Sequence, residues 1–214
     1  LFRSLHTHMT QQQKRHYAKT LCKIFHPLFF PLCGTICGLT IFFGRGHHLP
    51  PFLITIPLTM LILTVLMPIF FTIIYRRAYY GIYPVAEIKR MEDIPHIIVL
   101  TCLLLGYLFQ KSIYLPHIIS CMTATSIVIL LIHLAIKRWC NFSLHCAAWG
   151  GVVGVLFGYS LLFVYDPVWW ICLALGLWGI IASCQIFLNR HTLSEVTQGF
   201  LTGFSVALIA VIIS

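Results

Sequence analysis

Acidic residues are what this sequence has least of: five Asp and Glu, against fourteen Lys and Arg and eleven His. Charged residues of both signs make up only 9% of the chain, where a soluble domain carries roughly a quarter. That deficit, with a mean hydropathy of +0.93, excludes an ordinary water-soluble domain. In place of charge there are long apolar runs, several near the roughly 20 residues needed to cross a hydrocarbon core about 30 Å thick. Backbone groups in lipid must be satisfied within their own segment, so the runs are helices and the fold class is all-α, a polytopic membrane helix bundle. Paired CxxC motifs are missing too. Six of the nine cysteines fall inside apolar runs, where a thiol behaves as a small apolar side chain, so neither a disulfide framework nor a zinc site is expected. A net charge of +9 would point a soluble protein toward nucleic acid. Here the cations lie in loops beside membrane helices, which makes anionic lipid headgroups the expected partner and nucleic acid none.

Two parts follow from the distribution of charge. Residues 1–23 hold Arg3, Lys14, Arg15, Lys19 and Lys23 and read as a basic interfacial segment, too polar for a secretory signal. Residues 24–214 form the transmembrane domain, with spans expected over 24–43, 52–75, 95–110, 115–136, 143–164 and 168–188 and a last one from about Leu193. The first run contains Pro27, Pro31, Gly34 and Gly38, so it is either a kinked span or a re-entrant hairpin added to a six-helix core. Pro57 and Pro68 should bend the second span. With seven spans, twelve of the fourteen Lys and Arg fall on one side of the membrane. With a re-entrant first run they divide evenly. The positive-inside rule therefore favours seven crossings of the cell (inner, cytoplasmic) membrane, with the N-terminus in the cytoplasm. His47 and His48, in a Gly/Pro turn without a third ligand, are read as solvated. His133 near the end of the fourth span receives no role. Glycines at steps of four, Gly150, Gly154 and Gly158 and then Gly199 and Gly203, are read as packing stripes.

Two polar knots interrupt the apolar pattern, at residues 137–145 and 185–195. Exactly two spans separate them, so they share a membrane face. The second contains Arg190-His191-Thr192-Leu193-Ser194-Glu195. A Glu four residues after a His shares its helical face and can orient the imidazole. The plainer reading is a helix start, with Thr192 or Ser194 as cap and Glu195 in the first turn. The first knot supplies Lys137, Arg138, Ser143 and His145 at another helix start, where backbone N–H groups and neighbouring cations suit an anion.

The segment His191-x3-Glu195-Val196-x2-Gly199-x3-Gly203 resembles the third signature of the type-2 phosphatidic acid phosphatase superfamily, and Ser143-Leu144-His145 resembles the Ser-Gly-His of its second. The match covers residues 137–205. It implies a metal-independent, cofactor-free membrane phosphatase that hydrolyses a phosphomonoester or diphosphate on a lipid. His191 would be the nucleophile, Glu195 its orienting partner, His145 the general acid, and Ser143, Lys137, Arg138, Arg190 and Gln185 the phosphate-binding set. Three departures stand out. Gln185 occupies the position of a family arginine, Phe142 and Leu144 replace a Pro and a Gly, and the first signature has no counterpart. Lys89 with Arg90, or by preference Lys137 with Arg138, would have to stand in for it. These departures leave a second expectation open, an inactive relative that binds lipid phosphate or acts as a membrane scaffold. A coupled transporter is disfavoured, because the spans lack buried acids.

Overall fold

The computed structural model describes residues 11–43, 52–80, 93–115, 117–137, 139, 141–162 and 166–213. His47, His48, Lys89, Arg90 and Arg138 lie outside the described residues, as does the segment before Gln11.

The chain is an all-α polytopic bundle: no strand occurs among the described residues, and six helices are long and apolar enough to cross a membrane. The first helix, α1 (Gln11–Ile24), is the polar exception. Lys14, Arg15, Lys19 and Lys23 are exposed on it, while Ala18 and Cys22, four residues apart and so on one face, are buried. After one 3₁₀ turn, Pro27–Phe29, the chain continues as α2 (Phe30–Phe43). Pro27 and Pro31 fall in first turns, where a missing N–H breaks no helical bond. The residues after them form a single helix and not a hairpin. Gly34 packs on Met122 and Gly38 on Ile119; one numbering rises as the other falls, so α2 runs antiparallel to the helix carrying those partners.

The second apolar run divides into α3 (Phe52–Leu61) and α4 (Met67–Tyr80), joined through a π-helical turn at Ile62–Leu66. Pro68 can offer no N–H to the Thr64 carbonyl and its ring crowds that group. The widened turn just ahead of it is the form the expected irregularity takes. Five further helices follow among the described residues: α5 (Ile94–Ser112), α6 (His117–Ile136), α7 (Leu144–Leu162), α8 (Val168–Phe187) and α9 (Leu193–Ile213).

The closest pairing is between α7 and α9, and it is built from both glycine stripes. Gly150 packs on the Phe200 backbone, Gly154 on Phe204 and Ala207, and Gly158 on Val211, while from the other side Gly199 meets Ser143 and Gly203 meets Ala147. Both numberings rise together, so the helices are parallel and start at the same end of the bundle. Several ties gather at that end. Lys137 after α6 pairs with Asp93 before α5 at 2.7 Å, and the Ser143 N–H ahead of α7 donates to the Glu195 carbonyl of α9 at 3.3 Å.

A Cβ at Gly203 would overlap the Ala147 carbonyl, and one at Gly150 the Phe200 carbonyl; backbone cannot rotate aside as a side chain can. Gly203→Val and Gly150→Val are each expected to destabilise the detergent-solubilised protein by about 3 kcal/mol or more. Gly176→Ala and Gly179→Ala, with nothing within 4 Å of the added Cβ, should shift stability by less than about 1 kcal/mol. Thermal unfolding of the four variants side by side measures the contrast.

Candidate functional site

The second polar knot is shaped by two successive caps. At the end of α8 the Arg190 N–H donates to the Gln185 carbonyl at 3.1 Å and the Asn189 N–H to Ile186 at 2.9 Å. Asn189 itself is left-handed, at φ 53°. This is a Schellman close, with Asn in the position that usually takes glycine. Two residues later α9 opens on a capping box: the Glu195 N–H donates to Thr192 Oγ1 at 3.4 Å, and the Thr192 N–H donates back to Glu195 Oε2 at 3.1 Å. The same Oε2 lies 3.0 Å from His191 Nδ1. Orientation of the histidine and capping of the helix are therefore one arrangement. The carboxylate that closes the helix start also receives the Nδ1 proton, which leaves Nε2 as the basic nitrogen of the ring.

His145 sits in the first turn of α7, against a wall the polar N-terminal segment provides. Its ring lies 5.5 Å from that of His26, edge to face. His26 precedes α2 and accepts the Leu28 N–H on Nδ1 at 3.3 Å. Burial holds its pKa below the ordinary 6.5, in keeping with a neutral ring that uses a lone pair as a helix cap.

His145 and His191 both line one cavity of about 650 Å³. The cavity opens among the start of α2, the helix ends at the site face and the inner sides of α4, α5 and α6. His26, Arg76, His96, His133 and Asn141 line it as well, and no Asp or Glu does so among the described residues. Deeper, the wall is apolar, with Val99, Leu103, Met122 and Ile129.

The remaining expected residues lie around the cavity and not on its wall. Ser143 is fully buried as the cap of α7, its Oγ 3.5 Å from the Cys146 N–H. Lys137 is held by Asp93. Arg190 is exposed at the bend before His191, and Gln185 is 1% exposed with its Oε1 unpartnered. Four basic cavity residues carried no expected role: His26, Arg76, His96 and His133. A His-Pro step opening an apolar run was the available signal for His26. Arg76 looked like an ordinary basic loop residue, and His133 like a lone histidine at a span end. What distinguishes His133 is tertiary: it is 8% exposed, its ring is 5.0 Å from Phe142 and 5.6 Å from His96, and its Nδ1 has no partner.

No protein-family model, curated protein or solved structure matches the chain.

Removing either half of the capping box should cost about 1 kcal/mol, but only Glu195→Ala also frees the His191 ring. In ¹⁵N spectra of the imidazole, the parent protein and Thr192→Ala are expected to show one tautomer, protonated on Nδ1, and Glu195→Ala a mixture. Identical ring spectra in all three would show that the carboxylate does not orient His191.

Proposed function

We propose that this integral membrane protein is a metal-independent lipid phosphatase that works through a phosphohistidine on His191. The observation that carries this reading is the convergence of His145 and His191 on one cavity, with His191 Nδ1 held by Glu195 at 3.0 Å. A nucleophile, its orienting carboxylate and a second titratable ring on the same cavity wall are the groups that covalent phosphoryl transfer requires.

The reaction divides into two balanced halves. His191 Nε2 attacks phosphorus while the bond from phosphorus to the lipid oxygen breaks, and His145 gives its proton to that oxygen so that the lipid leaves as a neutral alcohol. For a diphosphate substrate the leaving group is the lipid monophosphate. His145, now neutral, takes a proton from water as the water oxygen attacks the phosphohistidine; the P–N bond breaks and inorganic phosphate departs. A phosphate dianion between the rings favours the imidazolium form that the first half needs. Glu195 acts by positioning, holding the Nδ1 proton throughout. With α2 counted as a seventh crossing, the positive-inside bias favours the cytoplasmic face for the site.

A second reading, a relative that binds lipid phosphate without turning it over, is favoured by the expected phosphate cations. Lys137 is engaged by Asp93, and uncharged Gln185 stands where the resemblance calls for a guanidinium. One experiment separates the two. The purified protein is incubated with ³²P-labelled phosphatidic acid, phosphatidylglycerol phosphate and prenyl diphosphate, then quenched in base. Catalysis predicts an acid-labile, base-stable phosphoprotein that His191→Ala abolishes, phosphate release slowed about 10² to 10⁴-fold in His145→Ala, and no effect of chelators. Absence of both phosphoprotein and phosphate release across the panel would leave only the binding reading.

A further inference from the structure

Two groups of basic side chains line the cavity, and the proposed chemistry uses only one. His26, His145 and His191 come from the segment before α2 and the starts of α7 and α9. Arg76, His96 and His133 come from the end of α4, the start of α5 and the end of α6. The second group has the marks of a site and not of a solvated surface. His133 lines the cavity, is nine-tenths buried with Nδ1 unpartnered, and has its ring 5.6 Å from that of His96. Among the described residues, Asp93 at this end of the bundle pairs with Lys137 and does not line the cavity. A metal is not the occupant to infer: no set of three His, Cys, Asp or Glu suited to one occurs among the described residues. Imidazoles and a guanidinium around a space that no acid lines among the described residues make an anion site, and an arginine fork suits phosphate oxygens.

We propose that Arg76, His96 and His133 form a second phosphate subsite, so that the cavity takes a diphosphoryl group: one phosphate between His145 and His191, the other held by these three. The inference rests on the reading that His145 and His191 receive a phosphoryl group, and it narrows the substrate class from any lipid phosphate to a diphosphate. His133 and His191 line the same cavity, as the two phosphates of one diphosphate require. Below the basic rim the cavity continues along α6 from His133 to Met122, about 16 Å at 1.5 Å per residue. That depth is about half of a hydrocarbon core, which suits a lipid tail from one leaflet. Free diphosphate has the same headgroup chemistry.

The test is binding without turnover, to the full-length protein in detergent. The probes are farnesyl methylenediphosphonate, farnesyl phosphonate with the same tail, and methylenediphosphonate with none. The expected result is at least about tenfold tighter binding of the prenyl diphosphonate than of the monophosphonate, the scale of one or two charge-assisted contacts. Arg76→Ala and His133→Gln should erase that gap while changing monophosphonate affinity by less than about twofold, and Arg76→Lys should restore part of it. Arg76 is exposed, so its truncation threatens folding little. Equal affinity for the two prenyl probes, or equal losses for both in the variants, overturns the subsite. If the tailless probe competes only at about 100-fold higher concentration, the diphosphate is lipid-borne; if it competes at the same concentration, the site reads free diphosphate. Either result sustains the subsite. Phosphohistidine trapping is independent: a diphosphonate preference without a phosphoprotein refutes catalysis alone, and the reverse pattern refutes the subsite alone.

Discussion

The glycine contact between α7 and α9 is the constraint on which the rest of the site depends. Gly150 and Gly154 on one helix and Gly199 and Gly203 on the other let backbone meet backbone. Such contact fixes relative height more tightly than a seam of flexible side chains, because no rotamer change can absorb a slip. The register it imposes puts Ser143 beside Gly199 and Ala147 beside Gly203. The start of α9 thereby projects about one turn beyond that of α7, and the Ser143 N–H reaches the Glu195 carbonyl. A slip of one turn would move one helix start about 5.4 Å along the other and change the spacing of His145 and His191.

Around that pair, elements with unrelated local purposes each supply something to the cavity. The Schellman close of α8 and the capping box of α9 are ordinary devices for satisfying helix ends. Placed two residues apart, they hold His191 between them and set its tautomer. The turn between the polar α1 and the first apolar helix presents His26 to His145. The Asp93–Lys137 pair is partly exposed and contributes roughly 1 kcal/mol or less. Its larger effect is geometric, tying the start of α5 to the end of α6, where His96 and His133 stand.

The scarcity of acid that marks the whole chain carries through to this end of the bundle. Of the five acidic residues, Glu195 is taken up by a helix cap and a histidine and Asp93 by a lysine. A cavity lined by imidazoles and one guanidinium in a low-dielectric surrounding attracts an anion more strongly than the same groups would in water. Its apolar floor gives the hydrocarbon part of a lipid a place to go.

The sequence by itself determined the class of protein and the local order of each segment. Apolar runs of membrane length admit only helices, because lipid offers the backbone no other partner. The spacing of His191 and Glu195 and the capping pattern of Thr192 and Glu195 are contacts within one turn of helix, so spacing alone specifies them. The steps of four in the glycines announced close packing, without saying that the two stripes pack on each other. Only the tertiary structure decided which residues face the cavity. It put Ser143 and Gln185 into the scaffold, gave Lys137 to Asp93, and brought Arg76, His26 and His133 to the wall from helices distant in sequence. The reason is physical: a helix end settles its hydrogen bonds with its nearest neighbours along the chain, whereas a cavity is what remains between helices once their packing registers are fixed, and no local pattern records that.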